Sequence, residues 1–137
     1  MKAAAPKGPR LDAIGVVVSD MAEALRFYRL LGLDLPKKVK AGEDHVEAKT
    51  AGGVRVMFDA EALIKRISPG WKKPVGQRMG LAFLCSSPKD VDRTHSKVVK
   101  AGFRSAKAPW DAFWGQRYAQ VLDPDGNKVD LFCPLAP

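Results

Sequence analysis

A chain of 137 residues with 46% hydrophobic side chains is long enough for one domain and too apolar to be disordered. Its formal net charge of +8 raises nucleic acid as a partner, yet the basic residues are scattered and no zinc-finger, helix-turn-helix or RNP-type pattern accompanies them. No apolar run approaches the ~20 residues that span a bilayer, and the basic stretch 1–10 lacks the hydrophobic core of a secretory signal.

Residues 1–10, rich in Pro, Gly, Lys and Ala, read as a loose tail. Leu11 to Val18 follows as a strand. Ser19-Asp20 then starts a helix, with Asp20 as N-cap and Glu23 in the capping-box position. That helix, Met21 to Leu31, carries Leu25, Phe27, Tyr28, Leu30 and Leu31 and stops at Gly32. After a charged connection come a strand around His45 to Thr50, a Gly52-Gly53 turn and a strand Val54 to Asp59, with a short helical turn over Glu61 to Ile67. Residues 68–77 contain Pro69, Gly70, Pro74 and Gly76 and read as a linker with Trp71 as its one anchor. The pattern then restarts: a strand Met79 to Cys85, a helix opened by Ser87-Pro88 and stopped at Gly102, and a short strand Arg104 to Lys107.

The last third holds the strongest local signal. Asp123-Pro124-Asp125-Gly126-Asn127 combines residues that favour a chain reversal, and Tyr118 to Leu122 and Lys128 to Phe132 flank it as a hairpin. Trp110, Phe113 and Trp114 lie just upstream as an aromatic loop. Such a loop needs something apolar to cover, whether a ligand, the core or a second subunit.

Each half of the chain thus reads strand, helix, then two or three strands. This is an α+β protein of two βαβββ modules forming a curved mixed sheet with a concave cavity. Module 1 covers 11–67, a linker 68–77, and module 2 78–134.

Ile14-Gly-Val-Val-Val-Ser-Asp20, Phe27-Tyr28-x-x-Leu31-Gly32-Leu33 and Asp123-Pro-Asp-Gly-Asn-x-Val-Asp-Leu-Phe132 together resemble the glyoxalase/bleomycin-resistance/extradiol-dioxygenase (vicinal oxygen chelate) superfamily, over roughly residues 11–134. Trp110-Asp-x-x-Trp-Gly-x-Arg-Tyr118 resembles its small-molecule-binding, bleomycin-resistance type. The resemblance implies a divalent metal on the concave sheet of the enzymes, held by His or Glu/Gln from the first and last strand of each module. Carried over singly, those positions are Ala13, Val56, Gly80 and Asp130. Only Asp130 offers a ligating side chain, and one carboxylate does not hold a catalytic metal. The expectation is therefore no metal and no cofactor.

Other chemistry is thinly supported. His45 and Glu47 share one face of a strand, but further ligands are missing. His95 lies among Val91 and Val98 on a helix and reads as a packing or surface residue. No G-x-S-x-G elbow or phosphate-binding glycine loop is present. Cys85 and Cys133 lie outside any C-x-x-C spacing and read as reduced thiols of a cytoplasmic protein.

What remains is a pocket. Strand alternation puts Lys128, Asp130 and Phe132 on one face and Val129 and Leu131 on the helix side. Repeat correspondence gives Val54, Val56 and Phe58 the concave face of module 1. The expected lining is Trp110, Phe113, Trp114, Tyr118, Asp130, Phe132, Phe58, Val56 and His45, a site suited to an aromatic small molecule. The resemblance implies a homodimer that sequesters an antibiotic or toxic metabolite without catalysis. The alternative is a glyoxalase- or dioxygenase-like lyase, isomerase or oxygenase using a displaced metal site, or Asp130, His45 or Tyr118 for proton transfer. A structural dimer without ligand is the third reading.

Overall fold

The structure, a computed structural model, describes residues 8–136; the expectation of a loose tail falls mainly on residues outside that range. The elements are β1 (Ala13–Val18), α1 (Met21–Leu30), β2 (His45–Lys49), β3 (Arg55–Ala60), α2 (Glu61–Ile67), β4 (Leu81–Leu84), α3 (Pro88–Lys100), β5 (Arg104–Ala112), β6 (Gln116–Leu122) and β7 (Lys128–Pro134). They build two mixed sheets, ordered β1-β3-β2 and β4-β7-β6-β5. In each, the first strand runs parallel to the module's last strand, and the other pairs are antiparallel. The first module closes with three strands and the short α2, because the segment after α1, with Pro36 and Lys37, Lys38 and Lys40, has no apolar alternation.

The helix ends follow the sequence signals. The Asp20 carboxylate accepts from the Glu23 N–H at 3.1 Å, and the Ser87 hydroxyl accepts from the Asp90 N–H at 3.0 Å. Each cap satisfies a donor that the first turn leaves free, which contributes about 1 kcal/mol. Gly32 and Gly102 close the two long helices at φ +92 and +99, where a side chain would be strained.

Helices α1 and α3 cover one face of the sheets, and one core runs through both modules. It includes Leu25, Phe27, Tyr28, Phe58, Val91, Val98, Val121, Val129 and Leu131. Phe27 meets Phe103 edge-on at 5.1 Å, and Arg26 lies 4.2 Å over the same ring while donating to the Ala101 carbonyl. Asp123, the one buried charged residue among those described, accepts from the Tyr28 hydroxyl at 2.8 Å. It also accepts from the backbone N–H groups of Asp125 and Asn127 and from the Asn127 side-chain amide. The reversal between β6 and β7 is thereby fastened to a helix of the other module.

Two expectations need correction. Val56 and Phe58 are 7% and 0% exposed and point into the core beneath α1; Val54 precedes β3. The open face of β3 carries Arg55, Met57 and Asp59 instead, because the apolar members of the alternation pack against the helix. Trp110 is not in a loop either. β5 extends to Ala112, with irregularities between Ser105 and Lys107 and between Lys107 and Trp110, and puts Trp110 opposite Tyr118.

Candidate functional site

Across the second sheet the register runs in a straight row. Trp110 on β5 pairs with Tyr118 on β6, Tyr118 with Phe132 on β7, and Phe132 with Leu84 on β4. All four lie on the face away from the helices, since their neighbours Ala119, Val121, Leu131 and Cys133 are buried on the other side. The Tyr118 ring is stacked on Phe132 at 6.2 Å and meets Trp110 edge-on at 5.5 Å. Trp114, from the turn after β5, closes on both Trp110 (6.0 Å) and Tyr118 (5.2 Å), and its indole N–H donates to Gln116. Phe113 adds a further ring against Trp114 but is itself 97% exposed. Lys107 holds its ammonium 3.9 Å from the Trp110 centroid, a cation–π contact at the rim. This is an aromatic wall several rings wide, ending on Leu84, which is 68% exposed.

One register step toward the turn, the wall becomes polar. Asp130 accepts from the Tyr118 hydroxyl at 2.6 Å and from the Gln120 amide at 3.0 Å. Burial, with the Asp130 hydrogen bond second, pushes the Tyr118 phenol up to about 12, so it remains a proton donor at neutral pH. Beyond Asp130 lies a cleft of about 650 Å³ between the two modules, lined by Val17, Trp71, Arg78, Gly80, Gln120 and Asp130. A neighbouring cavity of about 360 Å³ is bounded by Ile14, Val16, Tyr28, Met79, Leu81 and Val129. Residues 74–80 wall both. They are held by Gln77, whose side chain donates to the carbonyls of Met79 and Lys128 and accepts from the Lys128 N–H at 2.7 Å.

His45 stands elsewhere. It lies on β2, the outer strand of the first sheet, while the aromatic wall begins on β5, the outer strand of the second. Its ring is held between Asp59 (2.5 Å) and Glu47 (2.8 Å), and Glu47 in turn accepts from Arg55, which also reaches Asp12. The Asp59 hydrogen bond, then that of Glu47, raises the imidazole above its ordinary value. With both ring nitrogens engaged by carboxylates, His45 ties β2 to β3. His95 sits on α3, bonded to the Ser105 hydroxyl at 2.7 Å, away from either site. Among the expected residues the structure therefore unites Trp110, Phe113, Trp114, Tyr118, Asp130 and Phe132. Val56 and Phe58 are in the core, and His45 belongs to a separate polar network.

Sequence reasoning missed Leu84, Gln77, Gln120 and Asp59. Leu84 alone had a usable signal, being one apolar residue in a strand whose register with Phe132 follows from the module repeat.

Two mixed sheets built from paired modules, each with one face left open, define the architecture as α+β. Residues 10–131 match the glyoxalase/bleomycin resistance protein/dioxygenase superfamily, and the chain belongs to that family. No functionally curated protein shows significant similarity to the sequence. Among solved structures it is similar to a glyoxalase/bleomycin resistance protein/dioxygenase family enzyme from Burkholderia phytofirmans PsJN, at 19% identity and a TM-score of 0.79, covering 93% of this chain and 100% of that one. A glyoxalase-related enzyme from Fulvimarina pelagi gives 17% identity and 0.77 over 90% and 87% of the two chains. A lactoylglutathione lyase from Agrobacterium tumefaciens gives 17% and 0.65 over 93% and 96%. At these identities the likeness is one of fold.

The divalent metal implied by the family does not fit these residues. Val56 is turned into the core, and the open-face position on β3 belongs to Met57, opposite Gly15 and Glu47. Ala13 and Gly80 have no donor atoms in their side chains, and Asp130 is engaged by Tyr118 and Gln120. Among the described residues no three His, Cys, Asp or Glu side chains lie together in a way that could hold an ion.

Proposed function

We propose that this chain is a metal-independent binding protein that sequesters an apolar, planar small molecule against the Trp110–Trp114–Tyr118–Phe132 wall. The observation that carries this reading is the continuous aromatic row beside Asp130, in a chain whose described residues hold no group of three or more His, Cys, Asp or Glu side chains placed to bind a metal. Offset and edge-on ring contacts contribute about 0.5–1.5 kcal/mol each beyond area burial, so a fused-ring ligand meeting several of them is held without a covalent step. Lys107 over Trp110 and the +8 net charge favour a neutral or anionic aromatic compound over a cationic glycopeptide. Protection against an antibiotic or toxic metabolite in the cytoplasm, by stoichiometric capture, is the role this chemistry suits. Exposed Phe113 and Leu84 at the rim suit closure by a second copy of the chain, giving a homodimer.

Native mass spectrometry with added zinc, nickel and manganese, and separately with a panel of aromatic antibiotics, tests the reading. Intact ligand bound with matching tryptophan quenching supports it. One tightly held metal ion per chain, or conversion of the ligand, overturns it in favour of a lyase, isomerase or oxygenase.

A further inference from the structure

The two cysteines are distant in sequence, and the second sheet brings them side by side. The parallel register that pairs Leu84 with Phe132 carries Cys85 alongside Cys133, and the Cys85 N–H donates to the Phe132 carbonyl at 2.8 Å. Leu84 and Phe132 belong to the open face, so alternation turns both thiols to the opposite side, toward α3. There they keep 7% and 8% of their surface exposed. The pair lies where the ladder ends, next to the Ser86-Ser87 connection and one residue before the end of β7, and not in the middle of the core. Neighbouring strands run about 4.8 Å apart, within the roughly 4.4–6.8 Å between Cα atoms that a disulfide spans. Neither thiol is part of the aromatic wall.

We propose that Cys85 and Cys133 form a modification site: a dithiol that a small-molecule disulfide converts reversibly into an intrachain cross-strand disulfide. One thiol loses its proton and its sulfur attacks the small disulfide, breaking that S–S bond and expelling one small thiolate. The second thiol, also deprotonated, attacks the resulting mixed disulfide, forms the Cys85–Cys133 bond and expels the other half. The protein loses two hydrogens and is oxidised by two electrons, and the small disulfide is reduced to two thiols. Burial, and after it the Asp90 carboxylate, holds the Cys85 thiol above its ordinary range, which makes the exchange slow at neutral pH. The product is an uncharged bridge between β7 and the residue that follows β4, one position beyond Leu84 and Phe132, so oxidation clamps the end of the two strands that carry one end of the aromatic row.

The test is incubation of the native protein with millimolar glutathione disulfide, followed by intact mass, peptide mapping and a non-reducing gel. The expected result is a loss of two hydrogens per chain with a mapped 85–133 link, reversed by dithiothreitol. Cys85→Ser and Cys133→Ser should each abolish that loss and accept at most one glutathione. Stable glutathione adducts on the wild type, cross-linked dimers, or no change at all would overturn the proposal. In the last case, full reaction of both thiols with maleimide after denaturation shows that they were still reduced and had not exchanged. The wild-type experiment decides even where a serine variant fails to fold.

Discussion

Removing the Tyr28 hydroxyl should loosen the joint between the two modules by a measurable and bounded amount. Tyr28→Phe leaves the ring and its packing against Phe27 and Phe58 in place and deletes one 2.8 Å hydrogen bond to Asp123. Hydrogen bonds to charged groups contribute about 1.5–3 kcal/mol, and Asp123 retains three other donors, so the loss should fall in that range. Asp123→Ala strands all four donors around a side chain that is 3% exposed. At ~1 kcal/mol or more for each, the loss is about 4 kcal/mol or greater, a large share of the ~5–15 kcal/mol that holds a domain folded. Urea denaturation followed by far-UV circular dichroism, with both single variants and the double, gives the coupling. The double variant should lose about 1.5–3 kcal/mol less than the sum of the singles. Additive effects, or a Tyr28→Phe loss under ~0.5 kcal/mol, would refute the view that this bond joins the modules.

The chain has two tyrosines, and both are shifted upward: Tyr118 to about 12, and Tyr28 further through burial and then the Asp123 charge. Tyrosines in the unfolded chain ionise near ~10, so the stabilisation is complete below that pH and is lost as pH rises through the folded values. Phenolate absorbance at alkaline pH should therefore stay low until the circular dichroism signal falls; a transition near pH ~10 in folded protein would contradict the upward shift of both phenols. The two histidines should separate to either side of the usual ~6.5. Asp59, then Glu47, raises His45, and burial lowers His95. His45 then stabilises the fold below pH ~6.5 and loses that contribution as pH climbs through its raised value, whereas His95 weakens the fold as pH falls below ~6.5. Ring-proton NMR titration checks this, and overlapping midpoints would count against the Asp59 contact.

Much of the architecture was legible because its signals are local. Asp20 and Ser87 cap helices through residues three positions on, and Asp123 to Asn127 reverse the chain within five residues, so spacing alone locates them. The alternation along β3 is visible in the sequence, but its core side is not. Val56 and Phe58 share one side and Arg55, Met57 and Asp59 the other, and the choice of core side depends on where α1 packs, which is a tertiary fact. Pro109 and the irregular pairing of β5 interrupt the strand pattern ahead of Trp110, and only Tyr118 across the ladder shows that the strand continues. Asp59 beside His45 and Gln77 against Lys128 are meetings across a sheet or a cleft, with no marker in the sequence near either partner.

The fastening of Tyr28 to Asp123 also sets an order of events during synthesis. The partners are 95 residues apart, and at roughly 5–20 residues per second the helix bearing Tyr28 waits on the order of 5–20 s for its acceptor. β7, which separates β4 from β6, is later still, so the second sheet has no centre until residues 128–134 have left the ribosome. Through that interval the nascent first half carries a hydroxyl and an apolar helix face without their partners. This is the window in which a chaperone, or another nascent copy, would find it.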